Sequence, residues 1–92
     1  MPERIATIAS RVGLHARPAA LFAEAASEEN LEVTIARDED SVDDAMDASS
    51  ILSLMSLGAK HGDRVVLRAE GPDAETVLER LAAVLEADHD VA

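Results

Sequence analysis

Gly13-Leu14-His15-Ala16-Arg17-Pro18-Ala19-Ala20 sets one histidine at the mouth of a helix, with an arginine two residues on. A helix N-terminus carries unpaired backbone N–H groups and a partial charge of roughly +0.5, so it attracts anions and disfavours an imidazolium beside it. His15 is therefore expected to stay neutral and nucleophilic. Pro18 suits the first helical turn, where its missing N–H forfeits no intrahelical bond, and it leaves the N–H groups of Ala16 and Arg17 to face an anion. Arg17 adds a planar fork of donors matched to phosphate oxygens. Together these residues describe a place to hold a phosphoryl group.

Working outward, residues 4–9 (Arg4-Ile5-Ala6-Thr7-Ile8-Ala9) read as a first strand, and a helix follows from about Ala16 to Glu28. On that helix Ala19, Phe22 and Ala26 share a face at spacings of three and four, whereas Glu24 lies elsewhere. Phe22, the only aromatic residue, is expected in the core. Leu31, Val33 and Ile35 alternate with Glu32 and Thr34, the period of a half-buried strand. Residues 37–49 hold six acids and few large apolar side chains, which predicts a solvated loop with at most a short edge strand around Val42 to Met46. Ser50 to Leu57 reads as a short helix with Ser50 or Ser49 as N-cap and Gly58 as the left-handed residue beyond it. Arg64 to Ala69 alternates again, with Val65, Leu67 and Ala69 on one side. Gly71-Pro72-Asp73 makes a turn in which Asp73 is expected to cap the last helix. That helix carries Ala74, Val77, Leu78, Leu81, Ala82 and Leu85 on one apolar face. Asp88-His89-Asp90 is expected to fray. The order βαββαβα predicts one α+β domain over residues 1–92: a four-stranded antiparallel sheet with three helices on one face, an open-faced sandwich.

Charge and composition narrow the function classes. The 92 residues carry a formal net charge of −11 and a single lysine, Lys60, which repels phosphate backbones and anionic lipid alike. No strand carries an aromatic residue to stack a base, so an RNA-binding module with the same element order is a poor fit. There is no cysteine for a disulfide or thiolate site, and the N-terminus starts in strand-like sequence without the apolar run of a signal peptide or membrane span. A cytoplasmic setting is the expectation. The acidic stretch 37–49 lacks the glycine and terminal glutamate of a calcium loop. His61 sits in a turn and His89 in the tail, neither spaced from His15 as a metal triad.

The middle helix has more apolar surface than one buried stripe needs. At about 100° per residue, Leu54 and Leu57 point one way and Ile51, Leu52 and Met55 another, an arc of roughly 220°. Burying the first pair leaves the other three as a surface patch, a common mark of a docking site, and a flexible methionine suits several partners.

The Gly13–Ala20 octet, the segment Ser50-Ile51-Leu52-Ser53-Leu54-Met55-Ser56-Leu57-Gly58, and Gly62-Asp63 leading into a strand, Ala69-Glu70-Gly71 and a last amphipathic helix follow in one order. In that order they resemble HPr, the histidine-containing phosphocarrier family of the bacterial phosphoenolpyruvate:sugar phosphotransferase system. The resemblance implies sheet order one-four-two-three and a phosphoryl carrier with a transient phosphohistidine rather than a stand-alone enzyme, needing neither cofactor nor metal. It implies that Nδ1 of His15 accepts the group from phospho-enzyme I and passes it to enzyme IIA domains for sugar uptake, with Arg17 and the N–H groups of Ala16 and Arg17 holding the phosphate. It also implies a monomer docking through Leu14, Ala20, Leu21, Ile51, Leu52 and Met55, with transcriptional regulators or kinases as further candidate partners. A carrier of a nitrogen-linked chain or of a multiphosphoryl transfer system is the alternative. Ser50 aligns with the family's regulatory serine. Family members often present lysines on the first helix and beside that serine, where this chain has Glu24, Ser27 and Ser49 or Ser53, and residues 37–49 run some four residues longer than usual. Ser50 is therefore expected to serve as a helix cap and to be a poor phosphorylation site.

Overall fold

A computed structural model describes residues 2–9, 11, 13–14, 16–40 and 42–87. His15 and Asp88-His89-Asp90 lie outside the described residues. In chain order the elements are β1 (Glu3–Thr7), α1 (Ala16–Ser27), β2 (Val33–Arg37), β3 (Met46–Asp47), α2 (Ile51–Ser56), β4 (Arg64–Ala69) and α3 (Ala74–Glu86), with a 3-10 turn at Val42–Asp44 before β3. The strands form one antiparallel sheet in the order β1-β4-β2-β3. β4 lies between β1 and β2, so Leu67 faces Arg4 on one side and Ile35 on the other.

The alternation read from the sequence sorts the sheet's two faces. Ala6, Val33, Ile35, Val65, Leu67 and Ala69 point into the core, where Phe22 and Ala26 of α1 and Leu78, Leu81 and Leu85 of α3 meet them. Alanines at Ala19, Ala23 and Ala26 let α1 approach closely, and it packs on both α2 and α3, while α3 lies across β1 and β4. The opposite face carries ion pairs: Arg68 Nε donates to Glu3 at 2.9 Å and Arg64 Nη2 lies 2.8 Å from Asp38. Arg80 adds a bidentate bond to Glu29 at 2.7 and 3.0 Å, joining α3 to the residues just after α1.

Two local expectations are corrected. The edge strand near Val42 to Met46 is only Met46–Asp47, because Val42–Asp44 winds into a 3-10 turn. Aspartates have low strand propensity, and two of them in the first turn suit its positive end. Asp73 precedes α3 but does not cap it with its side chain: its backbone is left-handed at φ 64° and ψ 18°. A side-chain cap requires extended backbone at that position. The helix begins instead with the Val77 N–H donating to the Asp73 carbonyl at 3.0 Å.

Candidate phosphoryl-acceptor site and docking face

The helix predicted to open after position 15 does so, with Ala16, Arg17 and Pro18 as its first residues. Lying in the first turn, the Ala16 and Arg17 N–H groups have no carbonyl four residues back to receive them. Ala16 and Arg17 are exposed, and Pro18 is buried against the fold. The Arg17 guanidinium forms no hydrogen bond or ion pair among the described residues. By contrast, Arg4, Arg37, Arg64, Arg68 and Arg80 each sit on at least one carboxylate. The first turn of α1 contains no acid, so nothing there competes for the Arg17 fork.

The loop entering α1 is set by a close backbone approach. Gly13 adopts φ +76°, and a Cβ there would lie 2.5 Å from the Ala59 carbonyl oxygen. Only a residue without a side chain fits. Immediately after it, the Leu14 N–H donates to the same carbonyl at 2.9 Å. The Leu14 side chain is buried in the core, which corrects its placement among docking residues: its neighbour's tight turn directs it inward, and its backbone does the positioning.

α2 divides as its helical geometry requires. Leu54, and Leu57 just beyond the helix, are buried, while Ile51, Leu52 and Met55 are 43%, 79% and 44% exposed. Leu21 of α1 is also exposed and Ala20 is half-buried. The acidic loop does not cover Leu52. Ser50 is the N-cap, its Oγ accepting the Ser53 N–H at 3.3 Å, and Gly58 follows the helix with φ +66°. Beside this cap, Ser49 donates from both its N–H (2.9 Å) and its hydroxyl (2.7 Å) to Asp47 Oδ1. Those bonds, the hydroxyl's first, hold the Asp47 carboxyl below its ordinary value, so a fixed negative charge flanks Ser50.

The other end of α2 is held by Arg37, the last residue of β2. Its Nη1 donates to the carbonyls of Leu57 (3.1 Å) and Gly58 (3.2 Å), its Nη2 to Asp63 Oδ2 (3.2 Å) and its Nε to Glu39 (2.6 Å). The Glu39 hydrogen bond, then the charges of Glu39 and Asp63, favour the guanidinium's charged form. In the sequence Arg37 opens the acidic stretch 37–49. Apart from Glu39, its partners Leu57, Gly58 and Asp63 lie twenty or more residues away, and no local pattern announces them.

The whole arrangement is a helix mouth with an arginine unpaired among the described residues, beside a short helix with an exposed apolar face, on an open-faced sandwich. Comparisons with known proteins agree with it. Residues 2–87 match the family model described as the PTS HPr component phosphorylation site. The chain is 40% identical over 85 residues to the phosphocarrier protein HPr of Streptomyces coelicolor, covering 92% of this chain and 88% of that protein. It is 41% identical over 83 residues to that of Haloferax volcanii, covering 90% and 91%. A crystal structure of HPr from Thermoanaerobacter tengcongensis superposes with a TM-score of 0.80 at 38% identity, covering 94% of this chain and 92% of that one. The chain belongs to the HPr family of phosphocarrier proteins of the phosphotransferase system.

Proposed function

We propose that His15 accepts a phosphoryl group from the phosphohistidine of enzyme I and delivers it to a histidine of an enzyme IIA domain. In the first transfer the Nδ1 lone pair of His15 bonds to phosphorus as the donor's P–N bond breaks and its electron pair returns to the donor imidazole. The second transfer repeats this with His15 as donor. Such transfers pass through a loose, in-line transition state, so the protein's task is positioning and charge stabilisation. The N–H groups opening α1 and the Arg17 fork supply both, and a shallow exposed site holds its cargo moderately, as a carrier must. Ile51, Leu52 and Met55, with Leu21 and Ala20 on α1, form the docking surface. The reading carries with it a cytoplasmic monomer, since enzyme I draws on cytoplasmic phosphoenolpyruvate and one chain holds one complete site.

The observation that supports this most is the Arg17 guanidinium, exposed and unpaired among the described residues at the N-terminus of α1, whereas Arg4, Arg37, Arg64, Arg68 and Arg80 each sit on a carboxylate. The test is incubation with phosphoenolpyruvate and enzyme I, followed by intact mass measurement. One acid-labile phosphate is expected on the chain, none on His15→Ala, and slower transfer at unchanged melting temperature for Arg17→Ala. A phosphate that persists in His15→Ala sinks the assignment.

A further inference from the structure

We propose that Arg37 is a positioning residue for phosphoryl transfer: one guanidinium ties the docking helix α2 to the loop that anchors Leu14, the residue before His15. The inference rests on the phosphocarrier reading above and adds to it a residue that acts through others.

The connections run through backbone groups with little freedom. α2 is six residues long, too short to be stable on its own. Its C-terminal turn is closed by the Leu57 N–H donating to the Ser53 carbonyl and the Gly58 N–H to the Met55 carbonyl, both at 3.2 Å, which leaves the Leu57 and Gly58 carbonyls just beyond the helix to find donors elsewhere. Arg37 Nη1 satisfies the Leu57 and Gly58 carbonyls, where a cation also suits the negative end of the helix. The other terminal nitrogen binds Asp63 Oδ2, and that same oxygen accepts the Lys60 N–H at 2.9 Å. The Asp63 N–H donates back to the Lys60 carbonyl, also at 2.9 Å, so the turn 60–63 is closed from both sides. Arg37 thus grips both ends of the segment 57–63. In its middle stands Ala59, whose carbonyl takes the Leu14 N–H and lies against Gly13.

Any shift of that carbonyl passes through one hydrogen bond to the backbone entering position 15. Misplacing a reacting group by about 1 Å costs on the order of 100-fold in rate. A small movement is therefore kinetically expensive. Lysine cannot replace the fork, because one ammonium cannot reach the two carbonyls and Asp63 together while holding Glu39. Arg37 keeps the apolar docking face and the backbone at Gly13 and Leu14 in a fixed relation, so that a partner seated on α2 meets the acceptor loop in one register.

The experiment compares Arg37→Ala and Arg37→Lys with the full-length wild type, using Arg80→Ala as a control that removes an ion pair remote from the segment 57–63. Residue-resolved amide exchange and transfer kinetics from phospho-enzyme I are measured on each, with kcat and KM separated. The Leu14 and Gly58 amides should exchange about tenfold faster in Arg37→Ala, matching the loss of roughly one hydrogen bond's support, with the Val66 amide in the sheet unchanged. The kcat should fall about tenfold, on the order of a fraction of an ångström of misplacement, and Arg37→Lys should recover only part of it. The proposal is overturned by unchanged Leu14 exchange in both Arg37 variants, or by an equal fall in kcat for Arg80→Ala. Failure of the wild type to take phosphate from enzyme I would refute the carrier reading separately, and the exchange data would still decide the coupling.

Discussion

Replacing Gly13 by alanine asks how much the acceptor loop depends on its close approach to Ala59. Two penalties arise. The first is conformational: φ at Gly13 is +76°, and an L-residue in the left-handed region costs about 1–2 kcal/mol. The second is contact. The new Cβ would stand 2.5 Å from the Ala59 carbonyl oxygen and 2.9 Å from the Lys60 Cα, both backbone atoms that cannot rotate away. Relief requires the two segments to part, which breaks the 2.9 Å bond from the Leu14 N–H. A buried donor left unpaired costs about 1–3 kcal/mol. The sum is about 2–5 kcal/mol, which in a domain of this size lowers the melting temperature by at least about 8 °C.

Gly58 supplies the control. It has nearly the same backbone angle, φ +66°, but a Cβ there meets nothing within 4 Å. Gly58→Ala should therefore cost only the conformational part, about 1–2 kcal/mol. Urea unfolding of the two variants, followed by far-ultraviolet circular dichroism, gives the difference directly. Gly13→Ala should be the less stable by about 1–3 kcal/mol, with loss of Leu14 amide protection seen in that variant alone. Equal destabilisation of the two would refute the contact argument.

Three further outcomes follow from other parts of the molecule. Leu52→Glu should weaken binding to enzyme I in calorimetry with little change in melting temperature, whereas Leu54→Ala, buried on the opposite side of the helix two residues on, should lose about 2–5 kcal/mol of stability; a collapse of the fold in Leu52→Glu would place that residue in the core. Arg80 holds the Glu29 carboxyl below its ordinary value, chiefly by its hydrogen bond, so this pair stabilises the fold above the ordinary carboxylate range and its contribution disappears as pH falls through the depressed value. The stability gap between wild type and Arg80→Ala should accordingly be present at neutral pH and close in strong acid, and a gap that persists there would exclude the ion pair as its source. Ser50→Ala should cost about 1 kcal/mol as a lost N-cap, and an HPr kinase with ATP should phosphorylate Ser50 poorly, because the fixed Asp47 carboxylate repels a second anion; efficient phosphorylation mapped by mass spectrometry would contradict this.

Much of the fold was legible because its signals are local. The period-two strands, the apolar face of α3 and the octet at Gly13–Ala20 each announce themselves within a dozen residues. The split of α2 into buried Leu54 and exposed Leu52 follows from turn geometry alone, and the structure has it so. What the sequence concealed depends on distant partners or on backbone angles. Leu14 reads as an exposed loop residue until the Ala59 carbonyl turns it inward. Asp73 has the composition of a cap, yet its backbone is left-handed and its side chain makes no capping hydrogen bond to the helix. Arg37 looks like one more charge in a charged stretch, although Leu57, Gly58 and Asp63 are its partners.

The same distribution of partners explains how a chain of net charge −11 leaves one guanidinium unpaired among the described residues, as the proposed phosphate contact requires. An excess of carboxylates would ordinarily capture every arginine, and those at positions 4, 37, 64, 68 and 80 are captured. Among the described residues Arg17 has no such partner, and its place in the sequence accounts for that. The helix beyond it reads Pro18-Ala19-Ala20-Leu21-Phe22-Ala23 before the first acid, Glu24. Glu24 is seven positions on, about 10 Å along the axis, beyond the reach of an ion pair. Alanine and leucine in those positions thus do two things at once. Ala19 and Phe22 seal the core beneath α1, and the missing carboxylate leaves the Arg17 fork open among the described residues for the phosphoryl group that the proposed function brings to it.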